Sequence, residues 1–260
     1  MRVLLSGFAA LALAACATVP AAQREAALQS TPRTPLGLDD VGVLFWDQVT
    51  RTDRFRRLED FYAGLEVARA PRVRPLPRGE LLDAATVAKI APLLETINVA
   101  GIMVLQDGKI RYERYRLGLT PEQRWTSFSV AKSFTSTLLG AAVKDGALNL
   151  SDPVTRHLPG LRGTAYDGVT VEQVATMTSG VKWNEDYTDP RSDVARMLTV
   201  APAAGEPQSV TYARTLTREA PAGSKWVYKT LETNLLGDIV AAATGRSLAD
   251  YAKEKIVDPA

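Results

Sequence analysis

Ser129 and Lys132 lie three residues apart in the segment Ser-Val-Ala-Lys, a spacing that could support nucleophilic catalysis. A serine hydroxyl attacks an acyl carbon well only when a neighbouring base removes its proton. A lysine can be that base when it is neutral, which requires that burial or nearby positive charge lowers its pKa. On a helix, residues three apart lie on one face, and the helix N-terminus favours an alkoxide. The pair therefore predicts a serine nucleophile, although an N-cap serine and a surface lysine give the same pattern.

A second serine–lysine pair of the same spacing, Ser179 and Lys182, shows that the pattern alone does not identify a nucleophile. Ser179 precedes Gly180 at the predicted C-terminal end of a short helix, where the two side chains need not converge. Ser129 instead lies at the start of a predicted helix, so we expect Ser129 to be the nucleophile. The single histidine, His157, is the one residue that could complete a serine–histidine–aspartate triad.

The composition excludes several classes of protein. The chain has 260 residues, 31 Lys+Arg against 29 Asp+Glu, one His and one Cys. The net charge of +2 gives no electrostatic reason to expect a nucleic-acid partner. One Cys cannot form an internal disulfide, and one Cys with one His cannot form a common zinc site. With 46% hydrophobic residues, we expect a globular protein with a sizeable core.

The first residues of the chain are typical of a targeting signal rather than of a folded domain. Residues 1–15 contain one arginine and then an apolar run of signal-peptide length, too short to span a bilayer comfortably. The run ends in Leu-Ala-Ala-Cys, which resembles a bacterial lipobox, in which Cys16 would be lipidated and become the mature N-terminus. An ordinary secretory signal with a chance cysteine is the alternative. Residues 16–38 are rich in Ala, Pro, Thr and Gln and predict a tether.

Helices and one hairpin are predicted around the serine–lysine pair. Asp107-Gly108 is a strong hairpin turn between an apolar strand at 102–105 and an alternating return strand. Residues 130–144 carry apolar side chains at helical spacing, and Gly146 is a good stop signal. Further helices are predicted over 48–64, 80–97, 171–178, 231–244 and 248–256.

Four segments in a fixed order carry a resemblance to a known family. They are Thr-Ser-Phe-Ser-Val-Ala-Lys-Ser-Phe around Ser129, the hairpin at 101–115, residues 170–187 with Met-Thr-Ser-Gly, and residues 220–237 with Pro-x-Gly and then a Tyr before Leu-Leu-Gly. In combination they resemble the serine β-lactamase-like family. They are most similar to its class C branch and, within it, to the 6-aminohexanoate-dimer hydrolase and esterase group.

The resemblance covers about residues 85–258 and implies an α+β fold of the β-lactamase/transpeptidase type. Such a fold has an antiparallel sheet flanked by helices, together with a mainly helical subdomain. We therefore expect residues 39–260 to form a serine hydrolase domain of this type.

The resemblance also implies a role for each matched residue. Ser129 would be the acylated nucleophile and Lys132 its general base. Tyr228 occupies the Tyr of the family's Tyr-x-Asn or Tyr-x-Ser motif and would shuttle the proton between Ser129 and the leaving group. Thr230 takes the third position of that motif, which disfavours efficient β-lactam hydrolysis and favours the amidase or esterase branch. Tyr187 matches a substrate-loop tyrosine of the dimer-hydrolase group and is a candidate substrate-binding residue.

The predicted function is a lipid-anchored serine hydrolase that cleaves an amide or ester and needs no metal or cofactor. The alanine after Cys16 favours the periplasmic side of the outer membrane over the inner membrane. Expected partners are a small-molecule substrate and the membrane, with no nucleic acid, and the oligomeric state stays open.

A D-Ala-D-Ala peptidase or penicillin-binding enzyme is the nearest alternative. His157 matches no catalytic position of the family, so a structural or solvent-exposed histidine is expected.

One family motif has no counterpart after Tyr228. The family's Lys-Thr-Gly or His-x-Gly strand should follow, and the sequence reaches Ala260 without it. A backbone N–H of that strand completes the oxyanion hole, and removing one such donor costs about 3–4 kcal/mol of transition-state stabilisation. We therefore expect the C-terminal strands of the sheet to be missing. Either the sequence is an N-terminal fragment of a longer protein, which we favour, or the gene is truncated and its product is a non-catalytic envelope lipoprotein.

Overall fold

An antiparallel hairpin and a larger helical part make up the described structure. The computed structural model describes residues 42–56, 58–61 and 64–260. The predicted signal peptide, the tether and Cys16 lie outside the described residues, so those expectations stay predictions.

The hairpin joins strand β1 (Gly101–Gln106) to strand β2 (Lys109–Tyr115). Asp107 and Gly108 between the strands have positive φ angles of 52° and 70°. A type I′ turn requires positive φ at both central residues, and Asp-Gly is a preferred pair for it. The hairpin predicted from this dipeptide is therefore confirmed.

The two edges of the hairpin differ. Gly79 donates its backbone N–H to the carbonyl of Ile110, and Ile110 donates to the carbonyl of Pro77, so the preceding chain runs along the edge of β2. Within the described ranges the sheet has two strands, and no further strand pairs with the edge of β1.

The helices begin and end at recognisable capping signals. Asp83 caps the helix that follows it by accepting the backbone N–H of Thr86 at 2.8 Å. Gly245 ends the helix Thr230–Thr244 with a φ of 65°, in the left-handed region that favours glycine. The helices are α1 (Gln48–Arg54), α2 (Ala84–Thr96), α3 (Ala131–Lys144), α4 (Val154–His157), α5 (Val171–Ala175), α6 (Asp193–Thr199), α7 (Gln208–Ala213), α8 (Thr230–Thr244) and α9 (Leu248–Ala252).

Four predicted helices are longer than the observed ones. Those predicted over 80–97 and 171–178 span Ala84–Thr96 and Val171–Ala175. The helix predicted over 48–64 ends at Arg54, because the chain turns there and Phe55 packs edge-on against Trp125 with ring centroids 5.7 Å apart. The helix predicted over 248–256 is α-helical only as far as Ala252, and a π-helical turn (Lys253–Val257) continues it.

The core of the helical part forms around α8. Its residues Leu231, Leu235, Ile239 and Val240 are fully buried, and the helix packs against α3 and α5. Burying an aliphatic side chain of this size contributes about 1.5–3 kcal/mol. This packing fixes α8 next to α3, which begins just after Ser129. With an antiparallel hairpin and a mainly helical part, the α+β fold class is confirmed.

Candidate active site

Ser129 is exposed and lies in a 3-10 turn (Phe128–Val130) that leads directly into α3. Phe128 has a φ of 42°, in the left-handed region that costs a residue with a Cβ about 1–2 kcal/mol. The Phe128 ring packs edge-on against Phe55 with the centroids 5.1 Å apart. This contact helps to hold the turn that presents the Ser129 hydroxyl.

Two polar side chains lie within hydrogen-bond distance of the Ser129 hydroxyl. Lys132 Nζ is 3.1 Å from Ser129 Oγ, and Tyr228 donates its phenolic O–H to Ser129 Oγ at 3.0 Å. Lys132 Nζ also lies 5.4 Å from the centre of the Tyr228 ring, where a lysine ammonium interacts favourably with the ring face. A hydroxyl in this position can lose its proton to one neighbour, and the other can protonate a leaving group.

The Met-Thr-Ser-Gly motif supports the segment that carries Tyr228. The backbone N–H of Val227 donates to the carbonyl of Met177 at 3.1 Å, and that of Gly223 donates to the carbonyl of Thr178 at 2.7 Å. The segment that leads to Tyr228 is therefore anchored at two points by backbone hydrogen bonds.

Gly180, the last residue of this motif, allows a close approach of two backbone segments. Its carbonyl accepts hydrogen bonds from the N–H groups of Glu219 and Ala220. A Cβ on Gly180 would lie 2.1 Å from the carbonyl oxygen of Ala220, and its φ is 74°. Both the space and the backbone conformation therefore require glycine here.

A buried ion pair directly follows Tyr228. Lys229 and Glu232 are both 0% exposed, and Lys229 Nζ lies 3.7 Å from Glu232 Oε1. Ser179 donates its hydroxyl to the same oxygen, as does Tyr166 at 3.4 Å, while Glu232 Oε2 has no hydrogen-bond partner in the described part of the chain. Burial raises the pKa of Glu232 to about 7, against the opposing effects of Ser179 and Lys229.

A second carboxylate, Glu185, joins Tyr187 to the start of α8. Tyr187 donates its O–H to Glu185 Oε1 at 2.5 Å and lies 3.4 Å from Thr230 Oγ1. The backbone N–H of Thr230 donates to Glu185 Oε2 at 3.0 Å, and the Thr230 hydroxyl and the Trp183 indole N–H also donate to this carboxylate. Burial, followed by the hydrogen bond to Glu185, raises the pKa of Tyr187 to about 12. Tyr187 therefore keeps its proton at neutral pH.

The structure brings Ser129, Lys132 and Tyr228 into direct hydrogen-bond contact. Tyr187 is not hydrogen-bonded to these three residues. Its hydroxyl donates to Glu185 and lies 3.4 Å from the hydroxyl of Thr230. The catalytic and substrate-binding roles of these residues stay predictions.

The second serine–lysine pair and the single histidine lie outside the Ser129 site and make contacts elsewhere in the fold. Ser179 is fully buried and bonded to Glu232, whereas Lys182 is exposed. His157 Nε2 lies 3.0 Å from Asp152 Oδ2, with its side chain 8% exposed. The hydrogen bond from the Asn149 backbone N–H has the largest effect on Asp152 and lowers its pKa. The hydrogen bond from His157 lowers the pKa further.

Sequence reasoning missed Glu185, Lys229 and Glu232. A signal for Glu232 exists in the sequence, since it lies three and four residues before Leu235 and Leu236 and so falls on the apolar stripe of α8. Glu185 has no such signal, because an acidic residue in a polar loop is ordinarily solvated.

The described ranges hold no candidate metal site and no candidate membrane-spanning helix. In residues 42–56, 58–61 and 64–260, no group of three or more His, Cys, Asp or Glu side chains is arranged to hold a metal ion. Over the same residues, every helix is too short or too polar to cross a membrane.

The beta-lactamase family model matches residues 87–260. The matched segment is more than half of the chain and contains the serine turn, α3, the Met-Thr-Ser-Gly motif and α8. The chain therefore belongs to the beta-lactamase family, and the resemblance found in the sequence is confirmed.

Individual relatives agree with this placement. The chain is 30% identical to the 6-aminohexanoate-dimer hydrolase of Paenarthrobacter ureafaciens over 197 residues, which are 74% of this chain and 50% of the relative. It is 35% identical to a beta-lactamase of Pseudomonas fluorescens over 100 residues, 35% of this chain and 28% of the relative. The chain thus spans half or less of the length of these curated relatives.

A solved structure shows the same fold. It comes from Bacillus anthracis and bears the name of a 6-aminohexanoate-dimer hydrolase. It superposes with a TM-score of 0.66 at 19% identity, covering 81% of this chain and 59% of that one. At this level of identity the similarity supports the fold alone.

Proposed function

We propose that this protein is a serine hydrolase that cleaves an amide or ester bond through an acyl-enzyme on Ser129. The observation that carries the proposal is the convergence of two proton-transfer groups on one exposed hydroxyl. Lys132 Nζ lies 3.1 Å and the Tyr228 O–H lies 3.0 Å from Ser129 Oγ. Both distances are within the range needed for proton transfer.

In the proposed reaction, Lys132 acts as the base that takes the proton of the Ser129 hydroxyl as the oxygen attacks the acyl carbon. The tetrahedral intermediate collapses, the bond to the leaving nitrogen or oxygen breaks, and Tyr228 protonates the leaving group. Tyr228 regains a proton from the Lys132 ammonium. Water then hydrolyses the Ser129 ester by the same steps in reverse.

The proposed substrates are linear amides or esters rather than β-lactams. A relative that matches 74% of this chain is named a 6-aminohexanoate-dimer hydrolase, which is consistent with an amide substrate. In addition, Thr230 replaces the Asn of Tyr-x-Asn, and its hydroxyl donates to Glu185. The amide side chain that a Tyr-x-Asn motif would offer to a bound β-lactam is therefore absent at this position.

The proposal is tested by turnover of matched substrates with the full-length protein. Wild type is expected to hydrolyse short-chain esters and linear amides faster than cephalosporins, and Ser129→Ala is expected to lose all three activities. Equal turnover by wild type and Ser129→Ala would refute the proposal. A preference for cephalosporins would refute the proposed substrate class.

We also propose that the protein is anchored in the bacterial envelope through a lipid on Cys16, facing the periplasm. The support is the apolar run of residues 1–15 that ends in Leu-Ala-Ala-Cys, with the single cysteine of the chain at the lipidation position. Two or three acyl chains give a stable anchor and leave the body of the protein soluble.

A further inference from the structure

The Glu185 carboxylate accepts four hydrogen bonds from the protein. Its Oε1 accepts from the hydroxyls of Tyr187 and Thr230, and its Oε2 accepts from the Thr230 backbone and the Trp183 indole. An ionised carboxylate has about four lone-pair sites. The protein's own donors therefore use the acceptor capacity of Glu185, and its role is to orient the groups around it.

Glu185 is also placed favourably at the start of α8. Thr230 is the first residue of that helix, so its N–H has no partner within the helix. A carboxylate at this end is stabilised by the N–H donors and by the helix dipole. Glu185 thus joins the loop that carries Tyr187 to the end of α8 that follows Tyr228.

Thr230 shares the side of the chain that carries Tyr228. Lys229, between them, has an extended backbone with φ −138° and ψ 108°, and its side chain is fully buried. Successive side chains of an extended segment point to opposite sides. Because Lys229 points into the core, Tyr228 and Thr230 point away from it, and Tyr228 reaches Ser129 on that side.

The direction of the hydrogen bonds determines what Thr230 can offer to a substrate. A threonine hydroxyl has one hydrogen to donate and two lone pairs. Because that hydrogen is donated to Glu185, only lone pairs remain for a bound molecule. The hydroxyl can then accept an N–H of a substrate but cannot donate to a carbonyl or ester oxygen.

We propose that Glu185 determines specificity by fixing the Thr230 hydroxyl as a hydrogen-bond acceptor, so that the site favours substrates with an N–H beside the scissile bond, that is, amides over matched esters. Glu185 acts as a positioning residue and does not itself contact the reacting atoms. This inference rests on the proposed hydrolysis at Ser129 and adds to it the class of bond that is preferred.

The test compares an anilide and an ester of the same linear acyl group, with kcat and KM measured for the full-length protein. Glu185→Gln keeps one acceptor oxygen and turns the other into an NH2 donor, so the Thr230 hydroxyl must compete with the Tyr187 O–H, the Thr230 N–H and the Trp183 N–H for one oxygen, and its hydrogen is no longer held at residue 185. Its kcat/KM for the anilide is expected to fall about tenfold more than its kcat/KM for the ester, the size of effect that follows when one polar contact is lost. Asp186→Asn is the matched control, since Asp186 lies on the same loop and bonds to Thr188. This control variant is expected to have the same kcat/KM as wild type for both substrates.

Thr230→Val keeps the shape of the side chain and provides a second route if Glu185→Gln folds poorly. It is expected to show the same selective loss on the anilide. The double variant should lose no more than either single variant, because both act through one hydroxyl. Any of three results would overturn the inference. They are equal losses on anilide and ester, an effect of Asp186→Asn as large as that of Glu185→Gln, and additive losses in the double variant. Turnover that persists in Ser129→Ala would instead overturn the proposed function itself.

Discussion

The Ser129 hydroxyl contacts two proton-transfer groups, an amine and a phenol, that lie at different distances along the sequence. Lys132 is held one helical turn away on α3, while Tyr228 reaches Ser129 across 99 residues of sequence. This arrangement allows proton transfer without histidine, since an amine and a phenol can divide the roles of base and acid. The single histidine of the chain is bound instead to Asp152.

Replacing Lys132 by arginine should abolish most activity without unfolding the protein. Arginine keeps the positive charge but cannot act as a base, because its pKa lies above about 12. Lys132→Arg is therefore expected to lower kcat by about 100- to 10,000-fold, the usual range for general acid–base catalysis. Steady-state kinetics and thermal unfolding would check this. Lys182→Arg is the matched control, since Lys182 belongs to the second serine–lysine pair and is exposed. Equal activities of the two variants would contradict the role of Lys132.

At the residue scale, the sequence located the groups whose types are unusual in their setting. A Ser-x-x-Lys at a helix start and a Tyr after Pro-x-Gly stand out because few structural roles require them in that order. Glu185 could not be located in this way, because its position depends on a contact with Thr230, 45 positions away, which no local pattern contains. Glu232 is marked only by its place on the apolar stripe of α8, and its contact with Ser179, 53 positions away, has no local signal.

At the scale of elements, the Met-Thr-Ser-Gly motif acts as a support for the Tyr228 segment. Backbone hydrogen bonds from Gly223 and Val227 end on Thr178 and Met177. The side chain of Ser179 meanwhile bonds to Glu232 on α8. The motif therefore connects the helical core to the tyrosine that reaches Ser129.

Gly180→Ala should disrupt this support. The variant would place a Cβ 2.1 Å from the Ala220 carbonyl oxygen at a φ of 74°, so the segment leading to Tyr228 must move. Gly163→Ala is the control, because Gly163 has a similar φ of 71° with nothing within 4 Å of its Cβ position.

Both glycine variants are expected to lose the roughly 1–2 kcal/mol that a left-handed φ costs. Gly180→Ala alone should lose stability beyond this shared amount, because its Cβ clashes with the Ala220 carbonyl. It should also lose activity, because a misplacement of about 1 Å can cost up to about 100-fold in rate. Chemical denaturation and kcat/KM would measure the difference. Activities that fall equally in the two variants would argue against this role of the motif.

The buried pair at the start of α8 should make stability depend on pH. The pKa of Glu232 rises from 4.5 to about 7 on folding, so the folded state binds this proton more tightly than the unfolded state. The resulting stabilisation is complete below about pH 4.5 and is lost as the pH rises through 7. A rise of this size corresponds to on the order of 3 kcal/mol.

The pH prediction is checked by the free energy of unfolding from pH 4.5 to 7.5. Wild type is compared with the double variant Lys229→Met, Glu232→Gln, which removes both buried charges and leaves neither partner alone. The stability of wild type is expected to fall relative to that of the variant as the pH rises. Parallel curves would contradict the assignment.

The predicted elements agreed with the structure where local signals were strong. The Asp-Gly turn of the hairpin and the apolar spacing of α3 and α8 located these elements to within one or two residues. The helix predicted over 48–64 was wrong after Arg54, because the aromatic contacts of Phe55 with Trp125 and Phe128 determine where the chain turns. Such contacts join residues about 70 positions apart and have no local signature.

At the scale of the whole molecule, the helical part supplies both Lys132 and Tyr228, the side chains that hydrogen-bond to Ser129. The 3-10 turn, α3 and the segment before α8 converge there, while α8 packs against α3. The fold class and the family followed from the order of four motifs. The domain boundaries, the lipid anchor and the cellular location stay predictions.

The proposed anchor makes a prediction about the whole protein in its cell. Cys16→Ser is expected to abolish incorporation of a palmitate analogue and to move the protein from the membrane fraction to the soluble fraction. Ala17→Ser is the control, since it keeps the cysteine next to it. Labelling and membrane association that survive in Cys16→Ser would contradict lipidation at this residue.

The most direct measurement of the central claim is covalent labelling of the full-length protein with a fluorophosphonate, followed by mass spectrometry of its peptides. A phosphonyl group bound to an activated serine does not turn over, so the site of attack is recorded in the mass of one peptide. The predicted result is a single adduct on Ser129 that is absent in Ser129→Ala and much slower to form in Lys132→Arg. No adduct on Ser129 in wild type, or equal labelling of wild type and Ser129→Ala, would contradict the account.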